Sequence, residues 1–502
     1  YREHLGQYEQ QGNEKLFSQL AALLKKIETK THIAIFELSE RKDAFGVTGE
    51  NGGLGNNSKS YKLDKIYLYS KPEYQEFGSN AKPIKVAHFV YDYSLCPGIQ
   101  NSLNYENFKT NPSTPDSGKL TLKKVYFTYR DSNMGKYTPY EFNYQNNYKY
   151  DMKAYDIWGN YKPTPDNVSC KPFNSYQDMS NAEFPYVDQT NRALADEYTT
   201  AWHLNSIDLP SGGTIEISYE ADDYAFVQDK EAMQMFKIIG AGNGSFNQGV
   251  ISNRLFDNYF LYIEIPSSMS VQEFKEQYIR NLINDPVYFR FLLNMSDPNP
   301  LPGANPSDKY DYVTGYLELA NEFRIGSLSG SNQNLAAIRI KSVNKGDGLN
   351  SSKQVNPISK AGWCFGRSYL NRLVYGITNE IDSNNLQSVV MELVGTIPSV
   401  LQIFQSPNGR LEDKGIASRF ITDKSWIRLM HPKKNKIGGG SRVKEVKLHD
   451  KWDVMTDHED DVAYVQFYGQ QYSYKTVDGN TSGVATYEPL GGKENPLVKP
   501  FY

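Results

Sequence analysis

A short apolar pattern that recurs five times constrains this chain more than any other feature. Leu63, Ile66 and Leu68 lie in KLDKIYLY; Leu122, Val125 and Phe127 lie in TLKKVYFT; Leu204, Ile207 and Leu209 lie in HLNSIDLP. Leu335, Ile338 and Ile340 lie in NLAAIRIK, and Val443, Val446 and Leu448 in RVKEVKLH. The last two apolar positions of each triplet are two residues apart, which places them on one face of a strand. The first stands three residues earlier and calls for a turn or bulge at the strand's entry. Four triplets are followed by a second run that alternates aromatic residues: Val86 to Tyr93, Tyr140 to Tyr144, Ile215 to Tyr219 and Tyr468 to Tyr474. In the third case Pro210-Ser211-Gly212-Gly213 supplies a tight connection. The predicted unit is a β-hairpin, or two strands with an insertion between them. A lone hairpin cannot bury its apolar face, so such units must stack on neighbours. The spacing of the starts is irregular, so the array is interrupted. Each triplet is expected on a strand with its second and third residues buried.

The rest of the chain divides around these units. Leu16, Leu20, Leu23, Leu24 and Ile27 predict an amphipathic helix from Glu14 to Thr29. Glu50 to Ser60 is rich in Gly, Asn and Ser and reads as a loop or linker. Between the third and fifth units the pattern becomes more helical. Ser270 with Glu273 forms a capping box for a helix through about Ile283, and Asp285-Pro286 ends it. A second helix is predicted from Arg367 to Val374, and a third after Asp382-Ser383, stopped or bent at Pro398. Asp297 to Asp308 is a Pro- and Asn-bearing loop. The expected organisation is residues 1–60, an N-terminal helical segment and linker; 61–240, a hairpin repeat region; 241–430, an insertion with helices; and 431–502, a C-terminal hairpin region. The fold class is β-rich α+β: an interrupted array of β-hairpin repeats with a helical insertion.

Composition narrows the function classes. The 502 residues exceed one ordinary core. With 39% hydrophobic and 22% charged residues the chain can fold. A net charge of -4 excludes a strongly basic nucleic-acid coat and gives no attraction to anionic membrane. Tyrosine, 38 residues, is in excess, which suits β-structure with one wet face. No apolar run reaches the roughly 18 residues of a membrane helix; Ser388 to Phe404 is interrupted by Glu392, Gly395 and Pro398. Cys96, Cys170 and Cys364 lie too far apart for a disulfide framework or a C-x-x-C site, although one disulfide is open to them. Tyr1 and Tyr502 read as the cut ends of a mature product, a segment or a larger chain.

No motif assembles a catalytic, cofactor or metal site, and the chain is read as non-enzymatic. Gly240-Ala241-Gly242-Asn243-Gly244 half resembles a dinucleotide loop, but no helix pattern follows at once. Gly438-Gly439-Gly440 precedes a strand and reads as a sharp backbone bend. Asp457, Glu459, Asp460 and Asp461 with His458 lack alternating ligands and a central Gly for calcium, so they read as a solvated loop. Glu220, Asp222 and Asp223 offer carboxylates at a strand end, but nothing places an opposing carboxylate for glycoside hydrolysis. His4, His32, His88, His203, His431, His449 and His458 never fall at metal-binding spacing. Cys364, after Trp363, reads as a buried apolar cysteine. Trp158, Trp202 and Trp452 read as packing residues before sugar-stacking ones.

Several strings resemble the Rhs/YD-repeat proteins, in particular the large surface or secreted ones of Bacteroidota. They are Thr138 to Phe142 with Tyr155 to Tyr161 (YDIWGNY), Leu209 to Gly213 running into Tyr219-Glu220, Asp223 to Asp229, Gly438 to Lys444 with Asp450 to Trp452, Tyr468 to Gln470, and Ser482 to Pro489. They span residues from about 60 to 502, thinly between 240 and 430. The resemblance implies a hairpin array that spirals into a large shell, which in toxin members encloses a C-terminal effector. It also implies an extracellular, cell-surface or outer-membrane-associated location, reached by type IX secretion or lipoprotein export. The Rhs core with its self-cleavage Asp-Pro motif and a C-terminal sorting domain are not found in this sequence. Three functions follow as expectations: a non-enzymatic surface scaffold within a larger chain or complex, a toxin-encapsulating shell, or a carbohydrate-binding or carbohydrate-active module. The expected partner is a protein, or more of the same chain, docked on the C-terminal β edge from about Val443 onward. Such a contact should bury at least roughly 800 Å² per side. Glycan contact is left open; nucleic acid, cofactor and metal are not expected.

Overall fold

The computed structural model describes residues 25–47, 54–99, 118–152, 154–163, 186–296, 310–347, 351–370, 406–458, 467–489 and 493–497. The chain forms two compact units. Unit one comprises Tyr1–Pro163, Val187–Asp222 and Gly439–Tyr474; unit two comprises Thr164–Tyr186, Asp223–Gly438 and Lys475–Tyr502. In chain order the first described strands are β1 Lys26–Glu28, β2 His32–Val47, β3 Leu54–Ser70, β4 Lys85–Leu95, β5 Lys119–Thr128, β6 Tyr140–Tyr144, β7 Leu204–Asp208 and β8 Thr214–Tyr224. Then come β9 Phe226–Val227, β10 Lys230–Glu231, β11 Met233–Gly242, β12 Phe260–Glu264, β13 Val287–Asn294, β14 Tyr310–Leu317, β15 Leu319–Ser327 and β16 Asn334–Ile340. The last are β17 Val343–Asn344, β18 Gln354–Val355, β19 Trp426–Met430, β20 Lys436–His449, β21 Phe467–Gln471 and β22 Val484–Ala485. Strand outweighs helix, 45% to 17%.

Unit one is built on a ten-stranded sheet in which β1 to β8 lie side by side in chain order, followed by β20 and β21. Four triplets fall on β3, β5, β7 and β20, with Leu209 just past the end of β7, and their aromatic partners are β4, β6, β8 and β21. The middle residue of each triplet stands opposite its partner strand: Ile66 faces Ala87, Val125 faces Tyr140, Ile207 faces Ile215, and Val446 faces Gln470. In β3, β5 and β7 the three-then-two spacing has the predicted cause. The ladder with the preceding strand skips Asp64, Lys123 and Asn205, each the residue just after the first apolar position. One extra residue in the strand brings all three apolar side chains to the same face.

The expected burial is not met in this unit. Ile66, Leu68, Val125, Phe127, Ile207, Leu209, Val446 and Leu448 are all half-buried. Among the described residues unit one has no second sheet of its own, and its buried hydrophobic cluster is small: Ile33, Tyr69 and Ala81, with Ile35, Tyr67 and Tyr74 against it. The fourth triplet differs. NLAAIRIK forms β16 in unit two, where Ile338 and Ile340 are 0% and 1% exposed.

Unit two is organised by a seven-stranded sheet in the order β14-β13-β19-β11-β12-β16-β15. All eight residues of β13, VYFRFLLN, are buried. Phe274, Tyr278, Phe289, Phe291, Trp363 and Phe420 belong to one continuous core. The region read as a helical insertion is therefore mainly sheet, with helices packed on it. By compact unit it runs from Asp223 to Gly438, instead of 241–430, and the last segment, Lys475–Tyr502, belongs with it. There β22 pairs in parallel with β9.

Other expectations shift for local reasons. The capping box at Ser270 and Glu273 is present. The helix it opens changes to a π-turn at Lys275–Ile279 and a 3-10 turn at Arg280–Ile283. The second helix runs Pro357–Tyr369, ten residues earlier than its predicted start at Arg367. Asn356 caps it by accepting from the Ile358 N–H, and Pro357 occupies the first turn. The end of the predicted N-terminal helix is β1, which pairs with β2; the remainder lies outside the described residues. The predicted linker is largely strand, since β3 begins at Leu54. The helix after Asp382-Ser383 and the loop from Asp297 to Asp308 lie outside the described residues, apart from that loop's flanks.

Candidate functional site

The last hairpin of the unit-one sheet ends in a fully exposed strand. β21 pairs with β20 on one side, from Glu445 opposite Gln471 to His449 opposite Phe467, and is the last strand of the sheet among the described residues. All five of its residues are exposed, with Phe467 at 57% and Tyr468 at 63%. The hairpin itself is well fixed. Tyr472 N–H donates to the Lys444 carbonyl at 2.9 Å, and the Tyr474 hydroxyl to the Val443 carbonyl at 2.8 Å. A Cβ at Gly469 would fall on the Val446 carbonyl oxygen, so glycine is required for this close approach. With Tyr472 N–H bonded inward, ladder alternation turns the N–H groups of Gly469 and Gln471 outward.

A second recurring element is a turn of seven residues with Gly-Asn near its end. Tyr155 bridges Tyr161 across Asp156 to Asn160, and Lys475 bridges Thr481 across Thr476 to Asn480. The backbone bonds repeat: Asp156 N–H to the Asn160 carbonyl and Gly159 N–H to the Asp156 carbonyl, then Thr476 N–H to Asn480 and Gly479 N–H to Thr476. Gly159 and Gly479 sit at φ +86° and +79°, a conformation that favours glycine. In the first copy the buried Asp156 carboxylate also accepts the N–H groups of Trp158 and Asn160 at 2.8 and 2.9 Å. The shared Gly-Asn was the sequence signal for this second copy.

The chemical candidates make contacts within the fold. Arg442 bonds Glu220 and Asp222, each at 2.8 Å, while its guanidinium lies 4.3 Å from the Tyr474 ring centre. Asp223 is buried and accepts from the Thr481 hydroxyl at 2.6 Å. These carboxylates do not form a facing pair. Gly240 and Gly242 lie within β11, and Gly244 N–H donates to the Tyr262 hydroxyl, so no phosphate loop is formed. Gly438, Gly439 and Gly440 lie inside β20 with φ of 156°, 112° and 138°. Glycine there permits a strand path that other residues avoid.

Cys364 is exposed, contrary to expectation: the helix turns its neighbours Gly362 and Trp363 inward and carries residue 364 round to solvent. Cys96 is buried, which pushes its thiol up to about 11. Trp202 donates from Nε1 to the Tyr148 carbonyl and packs edge-on to Tyr161, whereas Trp452 is half exposed. Asp457 and His458 are described; Glu459, Asp460 and Asp461 lie outside the described residues. Among the described residues no group of three or more His, Cys, Asp or Glu is placed to hold a metal. An open cleft of about 370 Å³ in unit one is lined by Asp208, Thr214, Glu216, His449, Lys451 and Asp453, with His449 Nε2 3.2 Å from Glu216.

One arrangement escaped the sequence. In unit two Lys436, Glu488 and Glu494 converge in the interior, with Lys436 Nζ 2.5 Å from Glu488 and 2.7 Å from Glu494. No spacing rule links residues so distant in the chain. No protein-family model, no curated protein and no solved structure matches the chain. No described helix is long and apolar enough to cross a membrane.

Proposed function

We propose that this chain is a non-enzymatic β scaffold, exported to the cell surface or beyond it, and part of a larger Rhs/YD-like protein or complex. Its working part is the array of hairpins in unit one. The observation that carries this reading is continuity in space across a break in sequence. The hairpins β3-β4, β5-β6, β7-β8 and β20-β21 follow one another in a single sheet, although some two hundred residues separate the last from the third. The repeated bulge at Asp64, Lys123 and Asn205 and the recurring Gly-Asn turn support one repeated unit. A sheet of this kind grows by adding strands, and the outward N–H and C=O groups of β21, flanked by aromatic side chains, have no strand partner among the described residues. The occupant proposed for that edge is a further hairpin of the same bulged kind, from the same polypeptide or a partner subunit.

The half-buried triplet face favours a second reading. A wide single layer with one apolar face fits a shell wall whose inner side covers a cargo, as in the toxin-bearing members of that family. Hydrogen exchange tests the edge. A peptide of residues 441–474, itself a hairpin of this kind, should slow exchange at Gly469 and Gln471 when added in excess. Protection already complete in the monomer, or fast exchange unchanged by the peptide, would remove the edge from the proposal.

A further inference from the structure

Lys436, the first residue of β20, is enclosed with its amine in contact with two carboxyl groups. Its side chain is 2% exposed; those of Glu488 and Glu494 are 2% and 6% exposed. The three N–H bonds of the ammonium match three acceptors: Glu488 Oε1 at 2.5 Å, Glu494 Oε2 at 2.7 Å and the Met233 carbonyl at 2.6 Å. The two carboxyl groups differ. Glu488 Oε1 also accepts from the Tyr224 hydroxyl at 2.5 Å, while its other oxygen is buried with no hydrogen-bond partner among the described residues. Glu494 uses its second oxygen, Oε1, to accept the Met235 N–H at 2.9 Å. Burial, with Glu488 nearby, pushes the Glu494 carboxyl up toward its protonated form. Burial pulls the Lys436 ammonium down, but the two glutamates outweigh it and hold it up. One cation and two carboxyl groups in a dry interior are an expensive arrangement while they remain ionised.

We propose that Lys436 and Glu494 become joined by an isopeptide bond that the folded protein makes itself, with Glu488 moving the proton. This inference does not depend on the scaffold reading. The atoms balance without a co-reactant. The ammonium gives one proton to the Glu488 carboxylate, and the resulting amine attacks Cδ of the protonated Glu494 carboxyl. A C–N bond forms, and the oxygen that takes up charge is the one already held by the Met235 N–H, as in an oxyanion site. Glu488 returns its proton to the departing hydroxyl, which leaves as water. It then takes the proton released from nitrogen as the amide forms, and ends as a neutral acid. Contact between amine and carboxyl in a fixed geometry supplies the proximity that the reaction lacks between free molecules. The product is uncharged, so burial favours it over the ion cluster. The bond would tie the start of β20 to the segment around residue 494 and, like a disulfide, restrict the unfolded chain.

Intact mass of the denatured protein tests this directly. The expected mass is that of the sequence less one water. Digestion should release a branched peptide joining the piece that holds Lys436 to the piece that holds Glu494. Lys436→Arg and Glu488→Gln should each restore the full sequence mass, and circular dichroism of Glu488→Gln should show the native β signal. A folded protein of unmodified mass overturns the proposal. So does a lost water that maps to Asp347-Gly348 or Asp478-Gly479, where a succinimide forms by the same mass change. A Glu488→Gln protein that is fully cross-linked overturns the role given to Glu488.

Discussion

The two units use sheets in opposite ways. Unit two packs its seven strands on a continuous core in which Phe289, Phe291, Ile338 and Phe420 are fully buried. Unit one spreads ten strands in one layer, and its triplet residues stay half-buried. Similar apolar patterns thus reach different burial, because burial depends on what is packed over a strand and not on the strand's own alternation. Unit one relies more on its ladder and on contacts along its faces. Lys85 Nζ lies 3.7 Å from the Phe127 ring centre, and His88 stacks on Tyr126 at 4.4 Å. Such cross-strand pairs contribute roughly 0.2–1 kcal/mol each, against about 1.5–3 kcal/mol for a fully buried large side chain.

The sharpest way to break this contrast is to truncate one side chain in each unit. Phe291→Ala should lower the stability of unit two by about 3–5 kcal/mol, since its neighbours Phe289 and Phe420 leave a cavity that cannot collapse. Val125→Ala in unit one should cost about 1 kcal/mol or less, because the half-exposed site leaves no closed cavity. Urea unfolding of each variant, followed by hydrogen exchange to assign the transition to a unit, gives both numbers. Equal losses would show that unit one has a core after all.

A pH series separates the units next. His431 is enclosed in unit two, and burial, aided by Lys436, Arg280 and Lys433, lowers its pKa from 6.5 to about 3. The unfolded chain therefore takes up a proton before the folded chain does. This contribution to stability is complete above pH 6.5, shrinks as pH falls toward about 3, and is flat below. The slope inside that window is at most about 1.4 kcal/mol per pH unit. Urea midpoints of unit two between pH 7 and pH 4 should fall accordingly, and His431→Gln should remove that part of the slope. An unchanged slope in the variant would place the acid sensitivity elsewhere.

The strands of unit one are legible in the sequence because their signal is local. In β3, β5 and β7 the apolar triplet encodes a bulge, at Asp64, Lys123 and Asn205, whereas Leu335 to Ile338 of β16 pair in unbroken register with β12 and β15. The same local rule misreads NLAAIRIK, whose place in another sheet is fixed by long-range pairing with β12 and β15. Asn356-Pro357 marks a helix start that the apolar pattern further on concealed. Residue 364 shows the limit of composition: its exposure follows from helix phase, with Trp363 anchored through Nε1 to the Ile416 carbonyl. The exposed edge at β21 was foreseen from the position of the last hairpin. The cluster at Lys436 was not, because its three members meet only when the tail docks in unit two.

The Gly-Asn turns sharpen the comparison at about 1 kcal/mol. Asp156→Ala removes the acceptor for two backbone N–H groups in a turn where that carboxylate is 4% exposed. The expected loss is about 0.5–2 kcal/mol, the range of a lost helix cap, which it resembles physically. The matching residue of the second copy, Thr476, offers no carboxylate. Thr476→Asp should recreate the first copy's bonds and raise local protection at Gly479 and Asn480. If exchange there is unaffected, the two turns share a backbone path but not a capping rule.

The smallest effect belongs to the charge pairs that line the unit-one ladder. Lys124 and Glu141 stand directly opposite one another on β5 and β6, with Nζ 2.6 Å from the carboxylate. Both side chains are close to half exposed, at 45% and 40%, so water and salt screen most of the attraction. Glu141→Gln should cost about 0.2–0.5 kcal/mol, and that cost should vanish in high salt. In a packed unit such a pair would be negligible beside the core. In a single layer it is one of many similar terms, so a double-mutant cycle with Lys124→Met across a salt series reports how the sheet is held. A coupling larger than about 1 kcal/mol that survives salt would mean the pair is shielded from water, and that this face of the sheet is covered.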